Sequence, residues 1–195
     1  SVVTSSGPAL RWLVEMDSAP DSNYRDMLLT KEMHLRKKHC ELVPTLPFSD
    51  LTAMGTVLEH LPAHCNLHLS NSSTVRYSQL FRSRGDIHYH CNRGTSGIDG
   101  SISTAAGFAV TSPKATVLIT GDLSFVYDSN GLWNKYLKGN FKIVVLNNSG
   151  GNIFRLIDTV QGENPAREFF ETPHSVNIKL LAESFGAKHT VCLSQ

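Results

Sequence analysis

Two runs of consecutive apolar, mostly β-branched residues constrain this chain most: Val117-Leu118-Ile119-Thr120 and Ile143-Val144-Val145-Leu146. A strand with one wet face alternates apolar and polar side chains, whereas an unbroken run needs cover on both faces. Parallel strands sandwiched between helices supply that cover. Each run stops abruptly, the first at Gly121-Asp122 and the second at Asn147-Asn148-Ser149-Gly150-Gly151. The carboxyl ends of parallel strands are where such sheets bind ligands. Asp and Asn also cap helices and shape turns, so the residues alone leave two readings open. Either these are local caps, or their oxygens converge on something.

The flanking sequence alternates between helix and strand patterns. "SDLTAMGTVLEHLP" predicts a helix capped by Ser49 or Asp50 and ended at Pro62. "NLHLS" and "IHYHC" predict short strands, with a helix over "TVRYSQLF" between them. "GIDGSISTAAGFAV" predicts a helix with a small-residue face, "VNIKLLAESFG" a helix ending at Gly186, and "HTVCL" an edge strand. The expected fold is therefore α/β, a mostly parallel sheet flanked by helices. Ahead of it, "NYRDMLLTKEMHLRKKH" predicts an amphipathic helix with a basic end, and "VPTLP" punctuates the chain. Residues 1–45 thus read as a lead-in and 46–195 as the main domain.

A formal charge of +1 gives no bulk attraction to nucleic acid or an anionic membrane. No apolar run approaches the ~18 residues of a transmembrane helix. Cys40, Cys65, Cys91 and Cys192 are widely spaced with no C-x-x-C pair, which fits a reduced cytoplasmic chain. His88, His90 and Cys91 suggest a metal cluster on paper. Strand alternation sets the two histidines on one face and the cysteine on the other, so metal binding is the weaker reading.

At the strand ends, Asp122 offers a hard anionic oxygen, Asn148 an amide oxygen, and Gly150 a backbone carbonyl. One carboxylate with carbonyl oxygens, completed by phosphate and water, suits octahedral magnesium. Gly150 and Gly151 allow the backbone to approach a pyrophosphate closely. There is no Walker sequence and no G-x-G-x-x-G.

These residues are also recognisable. Gly121-Asp122 followed by Asn147-Asn148 resembles the thiamine-diphosphate motif, with Leu123 where the third residue is usually Gly. "LSNSSTVR", "NRGTSGIDGSISTAAG", "GDLSFVYDSNGL" and "VVLNNSGGNIF" together resemble the branch of that superfamily in which Leu follows Asp. That branch is the 2-succinyl-5-enolpyruvyl-6-hydroxy-3-cyclohexene-1-carboxylate synthase (MenD) family of menaquinone biosynthesis. The match runs from about residue 66 to 189, in order and with nearly constant spacing.

The resemblance implies a thiamine-diphosphate-binding fold and a transferase that uses thiamine diphosphate and Mg2+. It implies Asp122, Asn148 and Gly150 as metal ligands, with Ile98, Gly121, Leu123 and Gly151 completing the cofactor site. Ser149 stands where relatives often carry Asn and is given no ligand role. Asn71, Ser72, Arg76 and Arg93 are implied beside the substrate carboxylates, and Ile153, Phe154 and Ile157 as an apolar wall. The implied substrates are 2-oxoglutarate and isochorismate. Two arginines suit multiply anionic substrates, since a guanidinium matches a carboxylate bidentately.

No catalytic residue is expected within the chain. The resemblance places the activating glutamate in an N-terminal domain lying outside it, and neither Glu163 nor Glu183 sits in a matching motif. It further implies a lead-in from a middle domain, a truncation at Gln195, a homodimer or homotetramer, and a catalytically silent fragment. Two alternatives stay open: another thiamine-diphosphate decarboxylase or carboligase, and a non-catalytic anion-binding α/β module. On composition alone Arg76 reads as a solvated helix residue and Ile98 as core.

Overall fold

The computed structural model describes residues 11, 23–156 and 165–193. The chain divides into two compact units, Ser1–Thr45 and Leu46–Gln195. In the first, α1 (Tyr24–Leu42) carries Asp26 in its first turn and His39 in its last, both favourably placed against the helix dipole. The helix stops where Val43 precedes Pro44, because a residue before proline disfavours helical dihedrals.

The second unit is a four-stranded sheet with strand order β2-β1-β3-β4, every neighbouring pair parallel. Its strands are β1 (Asn66–Leu69), β2 (His88–Cys91), β3 (Thr116–Gly121) and β4 (Phe141–Leu146). The helices are α2 (Asp50–Glu59), α3 (Ser73–Ser78), α4 (Ser101–Thr111), α5 (Asp122–Asp128), α6 (Pro165–Glu171) and α7 (Ile178–Ser184). Short 3-10 turns cover Ser129–Leu132 and Asn152–Leu156.

The unbroken apolar run of β3 is explained by its two buried faces. Val117 and Ile119 join Leu67, Leu69 and Leu146 against Met54 and Leu58 of α2 and Val75 of α3. Leu118 faces the other way, onto Ile102 and Ala105 of α4, Phe125 of α5 and Ile178 and Ala182 of α7. Helices thus cover both sheet faces, as two-sided strands require. Chain order reverses direction across the sheet between β1 and β3, the kind of switch point at whose carboxyl ends such sheets bind ligands.

The capping signal before α2 takes the Ser49 option. Ser49 and Thr52 form a reciprocal capping box, leaving Asp50 as the first helical residue. Asp128, buried at the end of α5, accepts from the Ser103 N–H (2.7 Å) and Oγ (2.5 Å), fastening the start of α4. The expected edge strand at 189–193 is not formed, and those residues pair with no strand. Val191 and Leu193 are 59% and 83% exposed, so no burial drives them onto the sheet.

The histidines of β1 and β2 form a packed group. His68 stacks on His90 with centroids 4.6 Å apart, and Phe108 of α4 lies against both. Cys91 points to the opposite face, toward Asn71, and no cluster of three or more metal-ligating groups occurs among the described residues. Burial, then the neighbouring His90, pushes His68 down to about 4.

The unfolded chain binds this proton near pH 6.5 and the folded chain only near 4. Stability present above pH 6.5 is therefore lost as pH falls toward 4. The loss is on the order of 3 kcal/mol. His68→Leu is expected to flatten the dependence of Tm on pH between 7 and 4.5. Parallel pH profiles for wild type and variant would contradict this.

Candidate cofactor and cation site

β3 ends in Gly121, and α5 begins at once with Asp122, whose side chain is 3% exposed. Three backbone N–H groups donate to its carboxylate: Leu123 to Oδ1 at 2.7 Å, and Asn148 and Gly150 to Oδ2 at 3.1 and 3.0 Å. The loop after β4 is thereby fastened to the end of β3. Among the described residues the basic group within ion-pair distance is His174, with Nε2 3.3 Å from Oδ2. His174 Nδ1 accepts from the Val176 N–H at 3.2 Å, which leaves the proton of a neutral ring on Nε2.

The loop is forced into an uncommon conformation. Ser149 has φ +64° and Gly150 φ +150°. A Cβ on Gly150 would lie 2.7 Å from the Glu171 carbonyl oxygen. That same carbonyl accepts from Gly151 N–H at 2.7 Å, so the end of α6 is pressed onto the loop. Glu171 is held in turn by Arg155, whose Nε and Nη2 both lie 3.1 Å from Oε2.

Asn148 donates from Nδ2 to Asp50 Oδ2 at 2.5 Å, and its Oδ1 accepts no hydrogen bond from the described residues. The Gly150 carbonyl takes the Asn152 N–H at 3.0 Å, leaving a second lone pair. Asp122 Oδ1 has one N–H donor and likewise keeps acceptor capacity. A Cβ on Gly121 would meet nothing within 4 Å, so the strand end is open beside the carboxylate. A buried anion, an amide oxygen and a carbonyl with spare lone pairs form a donor set that could hold a hard cation.

The remaining sequence-derived residues lie on the other strand ends, the loops that follow them and the first turns of the next helices. The Ile98 carbonyl accepts a short hydrogen bond from Ser124 Oγ, tying its loop to the first turn of α5. Asn71 is buried at the end of β1. Its Nδ2 donates to the carbonyls of Asn92 (2.6 Å) and Gly97, and its Oδ1 lies 3.4 Å from Arg93 Nη1. Asn71 therefore organises the 92–97 loop and steadies Arg93, which is otherwise exposed.

Ser72 has φ +70° where α3 begins, and Arg76, one turn on, is exposed. Ile153 and Phe154 are half-buried in the 3-10 turn, with Phe154 5.3 Å from the Phe170 ring. A Cβ on Gly151 would lie 3.4 Å from the Phe154 ring. Ile157 lies outside the described residues. Asp50 and His174 were not singled out as site residues by sequence. Asp50 reads as an ordinary cap and His174 belongs to no motif, so neither carried a usable signal.

Fold and strand-end site together are those of an α/β cofactor-binding domain. Residues 71–195 match the family Thiamine pyrophosphate enzyme, C-terminal TPP binding domain, and the chain belongs to that family. It is similar to the 2-succinyl-5-enolpyruvyl-6-hydroxy-3-cyclohexene-1-carboxylate synthase of Flavobacterium psychrophilum, 47% identical over 165 residues, covering 85% of this chain and 30% of the relative. The synthases of the same name from Christiangramia forsetii and Bacteroides fragilis are each 45% identical. They match over 148 and 143 residues, 76% and 73% of this chain and 26% of each relative. The chain thus spans under a third of the length of these relatives.

Proposed function

We propose that this chain is the diphosphate-binding part of a thiamine-diphosphate- and Mg2+-dependent transferase of menaquinone biosynthesis. The full-length enzyme would decarboxylate 2-oxoglutarate and add the succinyl unit to isochorismate, giving 2-succinyl-5-enolpyruvyl-6-hydroxy-3-cyclohexene-1-carboxylate. The observation that carries this reading is the buried Asp122 carboxylate, fastened to the Asn148–Gly150 loop, in a chain similar to synthases of that name.

In this reading Asp122, Asn148 Oδ1 and the Gly150 carbonyl hold Mg2+. Gly121, Leu123, Gly151 and Ile98 line the cofactor's place. Thiamine diphosphate supplies an electron sink for losing CO2 from a 2-oxo acid and for transferring the remaining carbon unit. Asn71, Ser72, Arg76 and Arg93 bind and orient the substrate carboxylates, and Ile153, Phe154 and Ile157 form an apolar wall against the second substrate. The activating glutamate belongs to a part of the enzyme outside these residues, and the chain on its own is silent. The working enzyme is a cytoplasmic homodimer or homotetramer. Among the described residues no helix is long and apolar enough to cross a membrane.

Arginine truncation tests the substrate assignment. Arg93→Ala or Arg76→Ala in the full-length protein is expected to raise substrate KM about ten- to a hundredfold, the size of a lost charge-assisted hydrogen bond. Cofactor affinity should change little. Lys should rescue only in part, because an ammonium cannot reproduce the guanidinium fork. Unchanged steady-state kinetics with both substrates would remove that arginine from the site.

A further inference from the structure

We propose that Asp50 is a positioning residue for the cation site, fixing the Asn148 amide so that its oxygen faces the ion. The inference rests on the reading of Asp122, Asn148 and Gly150 as ligands. A primary amide carries an oxygen and an NH2 on one carbon, and the side chain can flip between two nearly isosteric orientations. Only the oxygen ligates a hard cation. An unrestrained Asn148 would therefore divide its time between a ligating and a non-ligating orientation.

Asp50 removes that ambiguity. Its Oδ2 lies 2.5 Å from Asn148 Nδ2, across 98 residues of sequence. A carboxylate accepts hydrogen bonds and donates none when ionised, so it holds the NH2 and rejects the oxygen. With Nδ2 committed there, Oδ1 is turned away from Asp50 and accepts nothing from the described residues.

Asp50 is itself well fixed. It opens α2, whose entry is set by the Ser49–Thr52 capping box with hydrogen bonds in both directions. Thr52 is 1% exposed and Met54, one turn in, is fully buried, so the carboxylate stands on a rigid support. The Asn148 backbone is held independently through its N–H on Asp122. Backbone and side chain of Asn148 are thus fastened to two different carboxylates, one at each end of the residue.

The test is calorimetric Mg2+ binding to the full-length protein in the presence of thiamine diphosphate. Asp50→Ala is expected to weaken Mg2+ affinity about tenfold, as befits one charge-assisted hydrogen bond. Asp50→Asn keeps an acceptor oxygen for the NH2 and should retain most of the affinity. In an Asn148→Ala background Asp50→Ala should cost nothing further, since no amide remains to orient. The Tm of the cofactor-free protein should fall modestly and by similar amounts in Asp50→Ala and Asn148→Ala, which break the same hydrogen bond. If Asp50→Ala yields little folded protein, Asp50→Ser takes its place in the same comparisons.

Wild-type affinity in Asp50→Ala would overturn the proposal. So would equal losses in Asp50→Ala and Asp50→Asn, or an undiminished loss in the Asn148→Ala background; either would make Asp50 a bare charge or a direct ligand. Asp122→Ala separates the two levels of the argument. If Asp122→Ala abolishes Mg2+ binding while Asp50→Ala leaves it intact, only the positioning role fails. If Asp122→Ala binds normally, the cation site and the positioning role fail together.

Discussion

Asp122→Ala in the full-length protein is expected to abolish Mg2+-dependent binding of thiamine diphosphate, weakening it by at least about a hundredfold. Two losses combine. The ligand set loses its own carboxylate, leaving neutral oxygens that compete poorly with water for a small divalent ion. The Asn148 and Gly150 N–H groups also lose their common acceptor, so the loop after β4 is no longer fastened to β3. The sheet should survive, because its core lies on the apolar faces of β1, β3 and β4 and not at this edge. Calorimetry decides the matter, with circular dichroism as the control for folding. Cofactor affinity equal to wild type would contradict the assignment.

Gly150→Ala is expected to have the next largest effect, for a purely geometric reason. At φ +150° the position is one that L side chains rarely adopt. The added Cβ would sit 2.7 Å from the Glu171 carbonyl oxygen, with the Pro173 Cα only 3.5 Å away. Those contacts are backbone, so the loop or the end of α6 must move. Either movement displaces the Gly150 carbonyl and strains the 2.7 Å bond from Gly151 N–H to Glu171. The variant should lose at least about tenfold in cofactor affinity and melt several degrees lower, as strain of 1–3 kcal/mol implies. A Tm and cofactor affinity matching wild type would mean that the close approach to Glu171 is not maintained in solution.

The layers of the fold were legible because burial writes itself directly into β3; β4, at the edge of the described sheet, carries the same apolar run with Leu146 buried and Ile143–Val145 half-buried. Unbroken apolar runs demanded helices on both faces, and α2, α3, α4, α5 and α7 provide them. The convergence of Asp122 with Asn148 and Gly150 was legible for a related reason. Adjacent parallel strands end side by side, so polar residues at their carboxyl ends must be neighbours.

Pairwise chemistry between distant segments was not legible. Nothing in the pattern of α2 says that Asp50 meets Asn148, nor that His174 approaches Asp122, since each contact depends on how whole elements dock. The sequence "HTVCL" reads as a strand because period and propensity are local. Pairing needs a face to bury, and Val191 and Leu193 remain in solvent. The hydrogen bonds of Asn71 to the 92–97 loop and its approach to Arg93 are of the same kind, set by how the ends of β1 and β2 meet and not by any local pattern.

The most direct test is turnover by the full-length protein supplied with thiamine diphosphate, Mg2+, 2-oxoglutarate and isochorismate. The account predicts release of CO2 coupled to formation of the succinylated cyclohexene product. It also predicts no turnover when either cofactor is omitted, and little when pyruvate replaces 2-oxoglutarate. Equal or better turnover of pyruvate, or product formation that needs neither thiamine diphosphate nor Mg2+, would contradict it.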